Sequence, residues 1–456
     1  MIDWIRVKGF KSIADSGFIE IRPVTLLMGP NSAGKSSIIQ PLLAMRQTVD
    51  SRDVDRAMVF DGSYVSLGPF QEFVHGHKIG GQLCISFQIS TDEPLLRFFV
   101  DRESPTGQPV PDKTTLVFEG TLSASAGMTV HTQAAKYELL DRSGSKLTVT
   151  KTRGPRGKTT GEITLEGETQ KFSFARTGKF YDVVPMGKHA PIRRRMGMYG
   201  PPLSYLTSRL SATVEAEFSR LFYIGPLRDE PMPVYVATGE RPQDVGPTGQ
   251  DAMQILWLSK RERKLIEVRK QVAKWMQEFQ IASEVSLRER EWYFYLAMKD
   301  FYSGLKVKLS SVGFGASQIL PLIVQGYYAP RQSMIIAEQP EIHLHPRAQG
   351  TLGDLIIDIA GRGKKFIIET HSEHMLSRIQ RRVAEGTTIK KDDVIIYYCH
   401  ATEKGTSVEP IRLNELGQFE PQGLPSDFFS EDLDESRAHW EAIVKKTNAA
   451  RRRGSK

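Results

Sequence analysis

The stretch that decides the fold is Gly29-Pro30-Asn31-Ser32-Ala33-Gly34-Lys35-Ser36, which has the form G-x-x-x-x-G-K-[ST] of a phosphate-binding loop. It follows an apolar run, Val24–Met28, typical of a buried strand, and it precedes a predicted helix, Ser36–Arg46. Glycines let backbone N–H groups turn towards phosphate oxygens, and the helix points its positive end at the same anion. Lys35 is expected to reach the β- and γ-phosphates and the Ser36 hydroxyl to bind Mg²⁺. The sequence therefore predicts a nucleoside triphosphate site, which extends through Ser37.

Composition limits the class of protein. The chain has 456 residues, of which 40% are apolar and 25% charged, an ordinary globular profile for which two or three domains are expected. No run approaches the roughly 18–20 apolar residues that cross a bilayer, so no membrane partner is expected. The amino terminus lacks the features of a secretion signal, and the two cysteines, Cys84 and Cys399, exclude a disulfide framework. These features favour the cytoplasm.

The apolar pattern changes several times along the chain. Strand-like runs precede residue 95, and short β-like segments separated by Gly, Pro and Ser occupy 101–201. Helix-period segments follow at Leu203–Leu221 and Ala252–Phe279, where a short helical support is favoured over a coiled-coil arm. A hairpin, Trp292–Met298 with Leu305–Leu309, and further buried strands then alternate with helices. This order predicts an α/β fold with a mixed, mostly parallel sheet, flanking helices and a β-rich insertion.

We accordingly expect five segments. They are an N-terminal lobe of the ATPase head (1–95), a β-rich basic insertion (96–204), a helical connector (205–284), a C-terminal lobe of the head (285–435) and a basic tail (436–456).

Positive charge is concentrated in the insertion. Residues 142–195 contain 13 Lys or Arg against four Asp or Glu, and the formal charge of the whole chain is +8. Such a surplus suits an acidic partner, either nucleic acid or an acidic protein, or it is simply a solvated face around β-turns.

Two further motifs complete the predicted site. The apolar strand Met334–Ala337 ends in Glu338, an acid that can hold Mg²⁺ opposite Ser36. The segment 311–318, here called the signature turn, precedes a helix and provides a second anion-binding device through Gly313, Gly315, Ser317 and Gln318. One nucleotide cannot easily use both devices from one chain, so we expect a dimer in which one subunit caps the phosphate held by the other. His371, at the end of another strand, is expected to contact the γ-phosphate or the attacking water.

The order of these motifs resembles the ATP-binding-cassette ATPase heads of the SMC/Rad50 and OLD type. Four local strings, at 7–12, 223–228, 339–346 and 369–374, resemble the stand-alone OLD-like ATPases of prokaryotic anti-phage defence, including the AriA-type ATPases of PARIS systems. The resemblance covers roughly 1–95 and 205–430. It implies ATP and Mg²⁺ as cofactors, a homo-oligomer built on ATP-sandwich dimers, and control of a separate effector, a TOPRIM-type nuclease. It also implies that the basic insertion recognises an acidic trigger, such as a DNA-mimicking phage protein.

The sequence departs from the cassette pattern after Glu338. The family's water-polarising glutamate is replaced by Gln339, whose amide orients water but cannot accept its proton. Two predictions therefore compete, slow hydrolysis or Glu341 as the working base, and we favour slow hydrolysis. The predicted catalytic set is Glu338, Gln339, Glu341 and His371.

Other interpretations of the same residues are retained for comparison. Glu341, His343, His345, His371 and His374 suggest a transition-metal cluster, although the resemblance gives that region a structural role. Asp432-Leu433-Asp434 resembles the D-x-D of a TOPRIM nuclease, but no apolar strand precedes it and few residues follow. At the level of function, the alternatives are a DNA-binding RecF/SMC-like repair ATPase, which a steep salt dependence of DNA binding favours, and an ATP-held scaffold without turnover.

Overall fold

The computed structural model describes residues 1–78, 80–91, 114–125, 129–140, 146–154, 157–165, 167–175, 178–186, 191–193 and 199–420. The expected basic tail, 436–456, and the Asp432–Asp434 motif lie outside the described residues. The helices are α1 (Lys35–Asp50), α2 (Phe70–Phe73), α3 (Leu203–Ser219), α4 (Ala252–Arg261), α5 (Ile266–Glu278), α6 (Phe314–Tyr328), α7 (Pro346–Ala360) and α8 (Glu373–Glu385). The strands are β1 (Ile2–Phe10), β2 (Ile13–Asp15), β3 (Ile19–Glu20), β4 (Val24–Met28), β5 (Gln82–Thr91), β6 (Thr114–Ala124), β7 (Val130–Leu140), β8 (Lys146–Arg153), β9 (Thr159–Leu165), β10 (Glu168–Ser173), β11 (Pro191–Arg193), β12 (Tyr199–Pro202), β13 (Leu221–Ile224), β14 (Tyr235–Val236), β15 (Ala282–Glu289), β16 (Tyr293–Asp300), β17 (Lys306–Lys308), β18 (Met334–Glu338), β19 (Lys365–Glu369), β20 (Val394–Thr402) and β21 (Gly405–Ile411).

A mixed sheet forms the centre of the molecule. In the described part of the chain its strand order is β13-β18-β19-β4-β20-β21, with β21 antiparallel and the other strands parallel. The carboxyl ends of parallel strands meet at one edge of a sheet, and ligands bind at that edge. The phosphate loop, which follows β4, therefore lies beside the ends of β18 and β19. The predicted α/β fold with a mostly parallel sheet is confirmed.

The mixed sheet is buried on both faces, which explains why its strands are continuous apolar runs. Leu26, Ile335 and Ile368 point to a core that also contains apolar side chains of α4 to α8. Leu27, Ile336 and Ile367 point to the opposite core, which contains side chains of α1 and α3.

An antiparallel sheet covers the second core. Within the described residues its order is β10-β9-β8-β7-β6-β5-β1-β2, with β3 also paired to β1. Strands β5 and β6 pair from Gln82↔Ser123 to Thr91↔Thr114. The strands of the expected insertion thus continue the sheet that begins at β1, and the expected boundary at residue 95 lies outside the described residues.

A small sheet packs on the first core. Its described strands are ordered β14-β16-β15, and β17 pairs with β16 on the same side as β14, further along the strand. The predicted hairpin corresponds to β16 and β17, whereas β15 has no counterpart among the predicted strands.

Two predicted helices have different limits in the structure. The prediction of one helix over Ala252–Phe279 is wrong, because α4 and α5 are separated at Glu262, whose backbone is extended at φ −103° and ψ 117°. Residues 260–264 are all charged and supply no apolar side chain for a continuous stripe. Leu221, expected at a helix end, instead begins β13. No helix among the described residues is long and apolar enough to span a bilayer.

Candidate nucleotide-binding site

The phosphate loop joins β4 to α1 and depends on two glycines. Gly29 has φ +134°, and a Cβ atom there would lie 2.0 Å from the carbonyl oxygen of Cys399. Gly34 has φ +93°, and a Cβ atom there would lie 2.3 Å from Thr406 Oγ1. Larger residues are therefore excluded at both positions, for reasons of backbone conformation and of space.

The loop is held by residues distant in sequence. Thr406 Oγ1 lies 2.7 Å from Ser12 Oγ and donates to the carbonyl oxygen of Ala33 at 3.0 Å. The backbone N–H of Thr406 donates to the carbonyl of Ser12 at 2.8 Å. Segments near residue 12 and in β21 thus fix the phosphate loop from behind, while Asn31 and Ser32 at its tip are exposed.

The lysine of the motif folds back onto its own loop. Lys35 Nζ donates to the carbonyl oxygens of Gly29 at 2.9 Å and Pro30 at 2.8 Å. Burial lowers the pKa of Lys35, against the opposing effect of the Glu369 charge. The ammonium group is consequently kept at the mouth of the loop, and Ser37 continues α1 with its N–H bonded to the carbonyl of Gly34.

The serine of the motif contacts an acid that the sequence analysis did not assign. Ser36 Oγ donates to Glu369 Oε2 at 2.8 Å. Strand β19 lies between β18 and β4, so the acid that ends β19 is nearer in strand order to the loop than Glu338 is. A signal was present in the sequence, because Lys365–Glu369 is also an apolar run ending in an acid.

Glu338, which is half-buried, and Glu369, which is buried, form a pair of carboxyl groups. They are direct register partners in β18 and β19. Burial, and secondarily the Glu369 charge, raise the pKa of Glu338 to about 7, while Tyr223 donates to Glu338 Oε1 at 3.0 Å. Burial also raises the pKa of Glu369, against the effects of Ser36 and Lys35. Two adjacent acids that are costly to ionise, beside a hydroxyl, are an oxygen donor set that fits a divalent cation such as Mg²⁺.

The residues that follow β18 form hydrogen bonds with the end of β19 and with the residues after it. Gln339 has φ +43°, and its N–H donates to the carbonyl of Glu369 at 2.7 Å. Glu341 Oε1 accepts from Thr370 Oγ1 and from the N–H of His371, both at 2.8 Å. Burial raises the pKa of Glu341. Glu341 therefore fixes the turn that carries His371.

A buried arginine, not assigned from the sequence, lies beside these acids. Arg228 is 6% exposed, and its Nη2 donates to the carbonyl oxygen of Glu338 at 3.1 Å. Burial lowers the pKa of Arg228 to about 10, while the charge of Glu341 acts in the opposite direction. Among the described residues, Arg228 Nε and Nη1 and Glu341 Oε2 have no hydrogen-bond partner. The two groups are thus mutual counter-charges without a direct bond.

His371 lies at the end of β19 with an exposed side chain. Desolvation beside the loop and the nearby Lys35 charge lower the pKa of its imidazole, which favours the neutral form. In that state one ring nitrogen can accept a proton or a hydrogen bond.

The signature turn is only partly at the surface. Gly313 caps α6 and is exposed, and the Cβ position of Gly315 is 3.3 Å from the carbonyl oxygen of His343. Ser317 and Gln318 are buried, at variance with their predicted contact with nucleotide, because they lie on the face of α6 that packs inwards. A cavity of about 630 Å³ borders Gly313 and Gly315, and residues 29–37 are not among its lining residues.

The rival metal site is not supported. Among the described residues, which include Glu341, His343, His345, His371 and His374, no group of three His, Cys, Asp or Glu is placed to hold a metal ion.

Four of the described lysines of the basic insertion have acceptors within the chain. The contacts are from Lys151 to the carbonyl of Asp182 (2.9 Å), from Lys179 to the carbonyl of Val49 (3.2 Å), from Lys146 to Glu138 (3.5 Å) and from Lys171 to Glu162 (3.5 Å). For these four lysines, the contacts favour a role within the sheet.

Residues 249–376 match the family model described as an AAA ATPase domain. The matched segment contains the signature turn, Glu338 and His371, whereas the phosphate loop lies outside it and reaches the site through β4. This segment of the chain is therefore similar to ATPase domains. No curated protein matches the chain.

Three solved structures similar to the chain are heads of SMC proteins. The SMC head domain from Thermotoga maritima is 12% identical, with 90% of this chain and 98% of that chain covered and a TM-score of 0.38. The SmcHead bound to the C-winged helix domain of ScpA is 10% identical (91% and 98% covered, TM-score 0.42). The Smc head domain with an extended coiled coil bound to the C-terminal domain of ScpA, derived from Pyrococcus furiosus, is 11% identical (96% and 99% covered, TM-score 0.38). Nothing about the activity or partners of this chain follows from similarity at this level.

Proposed function

We propose that the chain binds ATP with Mg²⁺ and hydrolyses it slowly. The observation that carries this proposal is the contact of Ser36 Oγ with Glu369 at 2.8 Å, with Glu338 as the register partner of Glu369. This arrangement joins the serine of a phosphate loop to a pair of adjacent acids. Mg²⁺, when bound, would neutralise charge on the phosphate oxygens.

The residues of the chain have separate tasks in this proposal. The loop N–H groups and Lys35 hold the phosphates, and Ser36, Glu338 and Glu369 hold the cation. The neutral imidazole of His371 is available to the γ-phosphate or the attacking water. Slow turnover is expected because Gln339 cannot accept a proton and Glu341 is already engaged by Thr370 and His371.

We further propose that two chains enclose two nucleotides. The signature turn has an exposed glycine at a helix N-terminus, yet the cavity it borders has no lining residue from the phosphate loop. An anion-binding device that does not serve its own loop is available for the loop of a second copy.

The resemblance to OLD-like ATPases extends the proposal to a role in the cell. In that family context the ATP-held oligomer controls a separate effector, a TOPRIM-type nuclease, in antiviral defence. The trigger would be an acidic protein or nucleic acid.

Complementation between two variants tests the shared site. Lys35→Ala removes the ammonium from the loop. Gly313→Asp places a carboxylate at a position where a Cβ atom meets nothing within 4 Å, so the monomer should fold. Each variant alone should lose ATP-dependent dimerisation, measured as mass by light scattering with ATP and with ADP. Their mixture retains one intact composite site and should regain dimer and turnover, and Gly313→Ala should behave as wild type.

The outcomes separate the parts of the proposal. Full ATP-dependent dimerisation of Gly313→Asp, or loss of ATP binding by that variant, contradicts the shared site. Failure of wild-type chain to bind ATP with Mg²⁺ contradicts the whole proposal. Binding and dimerisation without turnover reduce the function to that of an ATP-held scaffold.

A further inference from the structure

The small sheet has one face on the core and one in solvent. Along β16, Phe294, Leu296 and Met298 are buried and belong to the first core, whereas Tyr293 and Tyr295 between them are partly exposed and belong to neither core. Side chains of a strand alternate between faces, so the two tyrosines share the outer face.

Aromatic rings dominate this outer face. The rings of Tyr293 and Tyr295 are stacked, with centroids 6.5 Å apart and planes at 26°. Trp292, which precedes them, is 64% exposed, and its ring centroid lies 4.7 Å from that of Tyr293. Three large rings in a row at a surface exceed what the packing of the sheet requires.

Positive charges surround the rings. Arg288 on β15 is exposed and lies directly opposite Tyr295, and Lys308 Nζ on β17 lies 4.8 Å from the centroid of the Tyr295 ring. Lys306 is exposed and is the register partner of Lys299. Like charges facing each other across strands destabilise a sheet, so the stability of the sheet does not explain a lysine at position 306 opposite Lys299.

The acid that β15 contributes to this face is already neutralised. Glu284 is the register partner of Lys299 and pairs with it at 3.4 Å. The cations Arg288 and Lys306 are exposed and available to a partner.

We propose that this outer face binds single-stranded nucleic acid. Aromatic rings at a sheet surface stack with unpaired bases, and flanking cations neutralise the phosphates that connect those bases. A duplex keeps its base faces covered and cannot use the rings. An acidic protein would use the cations but would leave the stacked tyrosines without a role.

The location differs from the basic insertion, where nucleic acid was one expected partner. Lys151 and Lys179 of the insertion are buried and donate to carbonyl oxygens within the chain, whereas Arg288 and Lys306 on this face are exposed. The inference goes beyond the proposed ATP-dependent dimer and does not depend on it. A result that contradicts the ATP-dependent dimer therefore does not contradict the nucleic-acid-binding face, and the reverse also holds.

The test uses the full chain and a fluorescein-labelled oligothymidylate of about 20 nucleotides, a length that exceeds the site of one small binding module. Fluorescence anisotropy should show binding that weakens with salt. Tyr293→Ala and Tyr295→Ala should each weaken binding by about fivefold to a hundredfold, the range for loss of one stacked base. Tyr295→Phe, which keeps the ring, should bind as wild type. Lys306→Ala should weaken binding and reduce the slope of log K against log salt by about 0.7.

A matched control comes from another sheet. Phe18 is 62% exposed with the Arg6 guanidinium 4.8 Å from its ring centroid, so it is also a surface ring with a cation. Phe18→Ala should leave oligonucleotide binding unchanged. If circular dichroism shows that Tyr295→Ala is unfolded, Tyr295→Leu is used in its place, because leucine retains bulk without the ring.

Three results would overturn the proposal. They are absence of binding at low salt, equal affinity for a duplex of the same length, and wild-type affinity in the tyrosine variants. The last result, together with equal competition by polyglutamate, would assign the face to an acidic protein instead.

Discussion

Replacing Glu369 by glutamine is predicted to raise the free energy of unfolding without Mg²⁺ and to reduce the stabilisation that Mg²⁺ and ATP provide. The Glu369 carboxylate accepts the Ser36 hydroxyl and is the register partner of Glu338. Without a cation, two adjacent acids repel each other, and a neutral amide removes that repulsion. With Mg²⁺ and ATP present, the same change removes an anionic oxygen from the cation.

The size of the first effect follows from the geometry. Paired strands lie about 4.8 Å apart, which sets the separation scale of two paired carboxylates. Two unit charges about 5 Å apart repel by about 3 kcal/mol at an effective dielectric constant of 20. The pKa of Glu338 rises to about 7 with burial as the larger cause, so repulsion accounts for the smaller share. We therefore expect Glu369→Gln to raise the free energy of unfolding by about 1–2 kcal/mol at pH 8 without Mg²⁺.

The assay is urea unfolding of wild type and variant, with EDTA and then with Mg²⁺ and ATP. At a ligand concentration of about 100 Kd, wild type should gain about 2.7 kcal/mol from the ligand, and Glu369→Gln should lose most of that gain. Ser36→Ala should lose the ligand-dependent gain without the large rise in EDTA. Glu403→Gln, at an exposed position, is the control for loss of a carboxylate. A Glu369→Gln variant that is less stable in EDTA and keeps the full ligand-dependent gain would refute the reasoning.

Substitutions at three other sites test the roles of single residues. Glu341→Gln keeps an oxygen that accepts from Thr370 and His371, so ATP turnover should not fall by the roughly 10²–10⁴-fold expected for loss of a general base, whereas Glu341→Ala should reduce it. Arg228→Met leaves Glu341 as a buried charge without its counter-charge and should cost about 3–5 kcal/mol in urea unfolding, a cost that the double variant Arg228→Met/Glu341→Gln should partly recover. Burial lowers the pKa of Lys364 from 10.5 to about 8, so its charged form destabilises the folded state fully below pH 8 and progressively less up to pH 10.5. Lys364→Met also removes the hydrogen bond that Lys364 Nζ donates to the carbonyl oxygen of Gly326. Its effect on the free energy of unfolding should therefore be more favourable at pH 7 than at pH 10 by about 1–3 kcal/mol, and an equal effect at both pH values would contradict this account.

The central sheet was predictable because the apolar sequences of its strands indicate burial on both faces. Val24–Met28, Met334–Ala337 and Lys365–Glu369 are apolar runs in sequence, and the structure buries them on both faces. Strand β13 was not predictable from pattern, because four apolar residues directly after a helix continue its apolar character. Their role as an edge strand depends on pairing with β18, more than 100 residues later in the chain.

The site was predictable residue by residue only where one motif contains the chemistry. The phosphate loop is contiguous, so its residues were named from the sequence. The partner of Ser36 was not, because the choice between Glu338 and Glu369 depends on strand order, which no local pattern contains. Ser317 and Gln318 were assigned to nucleotide because they lie in the signature turn, but the rotation of α6 directs them into the core.

The contacts of Thr406 with Ser12 and with the phosphate loop have a consequence for fragments of this protein. A fragment that begins after residue 12, or stops before β21, would still contain the intact eight-residue motif. It would nevertheless lack hydrogen bonds that hold the motif in its conformation. The proposed nucleotide binding thus depends on residues near both ends of the described chain as well as on the motif. The presence of the motif alone would overestimate nucleotide binding by a shortened chain.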